Sequence, residues 1–173
     1  MNGVDAIVAV YADWGIGAGG TQPVVVRADR KHFRQVTGDA AVIVGRKTLA
    51  DFPGGRPLKG RRNIVLTRQA LEIPGAEVAH TPEEALTAAG GERCFVIGGA
   101  SVYRQMLPWI RRVYVTQLDA CPASDSFFPD LDADPDWRCA EAGDWQEEEG
   151  IRYRFCVYRR REAADDEREK TEA

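Results

Sequence analysis

The chain has little of what would tie it to a metal, a membrane or an oxidising compartment. Its 173 residues hold two histidines, His32 and His80, and four cysteines, Cys94, Cys121, Cys139 and Cys156, with no C-x-x-C pair. No zinc-ligand spacing can be assembled from them, and the thiols read as reduced, two of them in strand-like surroundings. No run approaches the roughly 20 apolar residues that span a bilayer, and residues 1–6 lack the basic and apolar regions of a secretory leader. A cytoplasmic protein without membrane contact is expected. The formal charge of −4 argues against a general attraction to nucleic acid, so local arginine clusters need a local explanation. A chain of this length folds as one domain and buries roughly 70% of its unfolded surface, enough for a core without staples.

What is present first looks like a nucleotide turn. Gly15, Ile16, Gly17, Ala18, Gly19 and Gly20 form a G-x-G-x-x-G run behind an apolar strand at 6–12. A dinucleotide fingerprint must open into a helix whose N-terminus faces the pyrophosphate. Here Thr21, Gln22 and Pro23 lead into Val24, Val25 and Val26, a poor helix start. The first loop is therefore long and glycine-rich without a helix directly behind it, and phosphate-holding groups must come from elsewhere.

Apolar, β-branched runs recur at 7–11, 41–44, 63–66, 77–79, 94–97 and 113–118, several too continuously apolar for half-exposed strands. Helices are expected at 29–36, 48–52, 82–89 and 101–107, the third with Thr81 and Glu84 as a capping box and the last stopped by Pro108. This alternation implies a single-domain α/β fold around a central, mostly parallel mixed sheet with flanking helices. Runs at 136–142 and 151–158, separated by an acidic turn, predict an antiparallel C-terminal hairpin at the sheet edge. The domain is expected over 1–160, and the charge-dense 161–173 as a disordered tail.

Three features carry chemistry. Val96, Ile97, Gly98, Gly99, Ala100 and Ser101 end a strand in paired glycines and open a helix, with Ser101 as its expected cap. Val44, Gly45, Arg46, Lys47 and Thr48 repeat the strand-glycine-helix pattern with two cations and a hydroxyl at the turn, and Arg68 follows a third strand. Cations beside the carboxyl ends of central strands point to an anionic ligand, because open α/β sheets bind there. Asp29 stands in the first turn of its helix, where a dipole-stabilising acid is the ordinary alternative to a functional one.

Taken in order, these motifs resemble those of bacterial dihydrofolate reductase over 7–129. The resemblance is carried by the GIG loop, Asp29 with Phe33, Gly45 to Thr48, Gly55-Arg56-Pro57-Leu58, Arg61 to Leu66, Val96 to Gly99 with Tyr103, Tyr114-Val115-Thr116, and Asp125 to Pro129. It implies NADPH-dependent reduction of 7,8-dihydrofolate to tetrahydrofolate in a monomer open to antifolate inhibitors. Asp29 is then the carboxylate facing the pterin and Thr116 the hydroxyl that orients it. Ile7, Phe33, Phe52, Ile97 and Tyr103 line the substrate, with Arg30 at its edge, and Arg61 clamps the glutamate carboxylate. Ala9, Ile16, Gly17, Ile97, Gly98, Gly99, Ala100, Ser101, Val102, Tyr103 and Gln105 fall to the nicotinamide half. Arg46, Lys47 and Thr48 fall to the pyrophosphate, and Leu66, Thr67, Arg68 and His80 to the 2′-phosphate end. The family also joins the two glycines by a cis peptide, and Asp125 matches the acid that holds the first loop over the cleft. The chain departs from the family pattern at Val24, where a tryptophan is usual, at Arg27 in place of proline, and at Arg30 in place of an apolar residue. A related NADPH-dependent pyrimidine reductase and a non-catalytic nucleotide-binding module remain the alternatives, and Asp29, Phe33 and Thr116 at pterin-site spacing weigh against the first.

Overall fold

A computed structural model of the chain describes residues 4–161, so the expected tail lies outside the described residues except for Arg161. Elements run in the order β1 (Val4–Val10), β2 (Gly15–Gly17), α1 (Arg27–Thr37), β3 (Ala41–Gly45), α2 (Arg46–Ala50), β4 (Asn63–Leu66), β5 (Glu77–Ala79), α3 (Pro82–Ala89), β6 (Cys94–Gly98), α4 (Ala100–Met106), β7 (Ile110–Leu118), β8 (Ser126–Phe127), β9 (Trp137–Ala142), β10 (Gln146–Glu148) and β11 (Ile151–Arg160). Among the described residues the main sheet has the order β10-β11-β7-β1-β6-β3-β4-β5, with β9 also pairing to β11. Strands β7 through β5 in that order run parallel, and β11 is antiparallel to β7. No helix of the described residues is long and apolar enough to cross a membrane.

The parallel strands are buried because both faces are covered. One face packs Ala85, Leu86 and Ala89 of α3 with Val102, Tyr103 and Met106 of α4 against alternate residues of β1, β3 and β6. The other face carries Ile7 and Phe95 beneath Phe33 and Val36 of α1, and Val44 and Val65 beneath Leu49 of α2. Every residue of β3 and β4 is buried, as continuous apolar runs require.

Local chemistry moves several boundaries. Helix α4 begins at Ala100 with Gly99 as its N-cap, so Ser101 is not the cap; its hydroxyl accepts from Gln105 Nε2 at 3.0 Å, one turn along the helix. Helix α2 begins at Arg46 rather than 48, placing both cations in its first turn. Thr81 does cap α3, accepting from the Glu84 N–H at 3.1 Å, but the Glu84 carboxylate reaches back to the His80 N–H rather than to Thr81, leaving half a capping box. The expected hairpin arm is two strands. β9 and β10 lie along the same edge of β11 and part at Gly143, whose N–H still donates to the Phe155 carbonyl. Three cysteines, not two, lie in strands: Cys94, Cys139 and Cys156.

This edge also holds α1. Its N-cap, Val26, has no side-chain acceptor to offer, and the Glu148 carboxylate at the end of β10 fills that role, taking the N–H groups of Arg27 at 2.6 Å and Ala28 at 3.2 Å. An anion at a helix N-terminus satisfies orphan donors and complements the dipole. Glu148→Ala should therefore lower unfolding stability by about 1 kcal/mol, measured by urea titration; an unchanged midpoint would show that water replaces the carboxylate without loss.

Candidate active site

Asp29 sits in the first turn of α1, half-buried and directed at the sheet. Thr116 of β7, fully buried, donates its hydroxyl to Asp29 Oδ1 at 2.6 Å. Burial pushes the Asp29 carboxyl above its ordinary value of 3.8, while the Thr116 hydroxyl and the nearby His32 pull it down without cancelling the effect. Oδ2 has no protein partner among the described residues, so the carboxyl keeps acceptor capacity for two adjacent N–H donors.

The surroundings of this pair include residues that sequence reasoning did not single out. Phe155 of β11 lies directly opposite Thr116 in the antiparallel ladder, and His32 stacks on Phe155 at 3.9 Å with an interplanar angle of 16°. Asp29 and His32 are three apart on one helix face, and Thr116 and Phe155 face them as a cross-strand pair. The four side chains thus join α1 to the sheet twice. Burial lowers the His32 imidazole below its usual range against the pull of Asp29, favouring the neutral ring.

Along the same cleft the structure brings Ile7, Phe33 and Ile97 into one apolar cluster with Tyr114, and Phe52 joins Ile97 in the adjoining cluster around Leu49. Arg61 Nη1 donates to Thr37 Oγ1 at 2.8 Å, and the Thr37 hydroxyl in turn donates to the Phe33 carbonyl at 2.8 Å. The guanidinium lies 5.9 Å from the Phe33 ring centroid. Its Nε is buried without a partner, a donor positioned but unused. Thr37, which orients Arg61, could have been found from the i to i+4 back-bond that places a helix-end threonine under its own helix. Arg30 is exposed.

The expected cofactor residues fall at the carboxyl ends of five neighbouring parallel strands. Across the sheet these are Ala9 on β1, Gly98 and Gly99 at the end of β6, Gly45 to Thr48 after β3, Thr67 and Arg68 after β4, and His80 after β5. The two glycine turns are pressed together. A Cβ on Gly99 would lie 2.9 Å from Thr48 Oγ1, and one on Gly45 would lie 3.0 Å from the Val102 side chain. Gly98 and Gly99 are joined by a cis peptide. Tyr103 is buried and donates its hydroxyl to the Ile7 carbonyl at 2.7 Å, tying α4 to β1 beneath this turn. Leu66 and Val102 are buried in the core, while Ser101 and Gln105 lie exposed on the outer side of α4. His80 Nδ1 contacts the Thr67 carbonyl at 2.9 Å, so its ring is held against the end of β4. Arg46, Lys47 and Arg68 are exposed and make no ion pair among the described residues.

The first loop has a fixed attachment. Gly15 and Gly17 pair with Phe127 and Ser126, the Asp125 N–H donates to the Gly17 carbonyl at 3.0 Å, and the Gly19 N–H donates to Asp125 Oδ2 at 2.9 Å. Gly17 has φ 141° with its Cα hydrogen facing the Thr21 carbonyl, where a Cβ would approach to 2.4 Å. Trp14, packed between Phe128 and Tyr158, anchors the base of the loop. Val24 leaves no side-chain donor at its position; its backbone N–H and carbonyl both bond the Tyr11 hydroxyl.

Comparison with known proteins gives the family of the chain. The family profile described as dihydrofolate reductase matches residues 3–160. The dihydrofolate reductase of Mycobacterium tuberculosis strain H37Rv is 42% identical over 151 residues, covering 84% of this chain and 90% of that protein. That of Neisseria meningitidis serogroup B is 38% identical over 160 residues, covering 91% and 98%, and that of Rattus norvegicus 35% over 183 residues, covering 92% and 98%. With the motifs, the sheet order and these matches in agreement, the chain belongs to the dihydrofolate reductase family.

Proposed function

We propose that the chain reduces 7,8-dihydrofolate to 5,6,7,8-tetrahydrofolate with NADPH, in the cytoplasm and as a monomer, supplying tetrahydrofolate for one-carbon and thymidylate metabolism. The observation that carries this reading is the half-buried Asp29 carboxyl, held by Thr116 at 2.6 Å with acceptor capacity to spare. A pterin offers N3–H and its 2-amino group as a planar donor pair, which matches a carboxylate fork. Ile7, Phe33, Phe52 and Ile97 supply apolar walls for the ring and aminobenzoyl group. Arg61, turned by Thr37 and with Nε unused, suits the glutamate α-carboxylate in a way a lysine would not.

Fit to the dinucleotide rests on the pressed glycine turns at Gly45 and Gly98-Gly99 and on three cations that make no ion pair among the described residues. Arg46 and Lys47 with Thr48 are assigned to the pyrophosphate, and Arg68 with Thr67 and His80 to the 2′-phosphate. Ala9, Ile16, Gly17, Ala100 and Tyr103 close around the nicotinamide end. When bound, NADPH supplies the hydride that reaches pterin C6, while N5 takes a proton. The chain aligns the two rings and excludes water. Asp29 fixes the pterin and favours its protonated form, and the N5 proton arrives through water, since no other acid among the described residues stands beside Asp29 in the cleft. The bonds from Asp125 to Gly17 and Gly19 support a role for the first loop as a closing cover.

The pH dependence follows from Asp29. The folded chain keeps this proton to higher pH than the unfolded one, so ionisation costs stability. The cost is absent below 3.8, grows as pH rises toward the raised folded value, and is complete above it. Asp29→Asn should raise the melting temperature at pH 7, with the advantage vanishing below 3.8, and should slow the reductive step by about 10²–10⁴-fold. The wild-type rate should respond to pH across the raised value, where the carboxylate fork forms, an inflection absent in the variant. Full-speed tetrahydrofolate formation by Asp29→Asn would remove the assignment.

Arg68→Gln should cut the preference for NADPH over NADH by about tenfold, the loss of one charge-assisted contact; equal dissociation constants before and after would place the 2′-phosphate elsewhere. Asp125→Ala should lower turnover and alter the rate at which cofactor leaves, measured by stopped-flow fluorescence. Unchanged values of both would remove the loop-holding role.

A further inference from the structure

Four thiols are scattered through the chain, and the fold brings two of them together. Cys94 is buried on β6 and Cys121 is exposed in the loop after β7, whereas Cys139 and Cys156 fall on neighbouring antiparallel strands. The pairing of β9 with β11 slips by one residue between them. Val157 faces Glu141 but Tyr158 faces Cys139, which leaves Ala140 without a ladder partner. Such a bulge re-aims the side chains beside it.

Side chains two apart on a strand share a face, so Cys156 and Tyr158 of β11 project to the same side as Trp137 and Cys139 of β9. Cys139 is the direct partner of Tyr158 and the diagonal neighbour of Cys156. In a regular ladder that diagonal is about 7–8 Å, just beyond the Cα separation of about 4.4–6.8 Å that disulfides adopt. At the bulge the thiol turns back along its strand toward Cys156. Cys139 Sγ donates to the Glu141 carbonyl at 3.4 Å, and the Cys139 and Cys156 thiols interact directly. Both thiols also act on the Tyr158 hydroxyl, which donates to Asp132 at 2.8 Å, so the three side chains share one space.

The two thiols differ in a way that oxidation chemistry can use. Cys139 is exposed, whereas Cys156 is 1% exposed, and burial pushes its thiol up to about 11 against the pull of Arg154. A dissolved oxidant therefore reaches Cys139 and not Cys156, while Cys156 stands ready to resolve whatever forms on Cys139. An accessible thiol poised beside a resolving one is the arrangement of a redox-sensing pair, and disulfides in reducing compartments are mostly of this transient kind.

We propose that Cys139 and Cys156 are a modification site, forming a reversible intrachain disulfide when the chain meets a hydroperoxide. With hydrogen peroxide, the Cys139 thiolate attacks one oxygen: an S–O bond forms, the O–O bond breaks, and the departing hydroxide takes up a proton as water. The Cys156 sulfur then attacks the Cys139 sulfur of this sulfenic acid. The S–S bond forms as the S–O bond breaks, and hydroxide leaves with the Cys156 proton as a second water. In all, two thiols give up two electrons and two protons, and one peroxide is reduced to two waters. A dithiol reductant reverses the bond by exchange. The link ties β9 to β11 next to Phe155, on the face of the sheet away from the His32 stack.

The test treats the reduced, folded full chain with hydrogen peroxide, alkylates the remaining thiols under denaturing conditions, and maps the digest by mass spectrometry. The expected product is a peptide pair joined through Cys139 and Cys156, lighter by two hydrogens, with Cys94 recovered alkylated and the link lost on treatment with dithiothreitol. Cys156→Ala should instead stop at a Cys139 sulfenic acid that dimedone captures. Cys139→Ser should lose the link and leave Cys156 a free thiol. The wild-type digest decides the pairing whether or not Cys156→Ala folds. The proposal is overturned if wild-type Cys139 is recovered unlinked or as a higher oxide, or if it joins Cys121. Linkage to Cys139 of a second copy, seen as a dimer on a non-reducing gel, overturns it too, as does oxidation of Cys156 in Cys139→Ser at the wild-type rate.

Discussion

The hydrogen bond from Thr116 to Asp29 joins the helix that carries the acid to the strand that floors the cleft, and the rest of the site is arranged around it. A bond to a charged group is worth about 1.5–3 kcal/mol, yet burial still outweighs it and leaves the carboxyl above its ordinary value. That balance keeps the acid positioned while leaving it able to hold a proton. The geometry is reinforced from outside the pair: Glu148 fills the helix N-terminus, and the His32–Phe155 stack makes a second attachment one turn later. An acid on a short helix whose own N-cap offers no acceptor is thus fixed by two strands at the sheet edge.

The half of the cleft assigned above to the dinucleotide depends on a different constraint, the absence of side chains. β3 and β6 are neighbours, and both turn into helices at glycines so close that a methyl group on Gly99 would strike the Thr48 hydroxyl. Backbone rather than side chain forms the surface of these turns, while the cations stand further out at the strand ends. Charge and shape are supplied by separate residues, so the cations can be altered without disturbing the turn.

Much of this was legible in the sequence because it is local. Continuous apolar runs located the six parallel strands, and Asn63–Leu66, Glu77–Ala79 and Pro82–Ala89 agree to the residue. The rejection of the G-x-G-x-x-G run was sound, since the loop forms a short strand against β8 and no helix begins before Arg27. Ser101 misled because a serine after paired glycines resembles a cap, yet Gly99 takes that place without a side-chain bond. What could not be read were partners distant in the chain: Glu148 some 120 residues from the helix it caps, Phe155 opposite Thr116, and Cys139 opposite Tyr158 across a bulge that no single strand displays. Acids in the 143–150 segment looked like a solvated turn, and only pairing with β11 turned one of them toward α1.

The most direct test of the central claim is the titration of the Asp29 carboxyl carbon by ¹³C NMR in the ligand-free chain. The account predicts a midpoint above 3.8 in the wild type and a higher one in Thr116→Val, where the bond that favours the ionised form is gone. A wild-type midpoint at or below 3.8 would contradict it, because the acid would then be an ordinary solvated residue at a helix end.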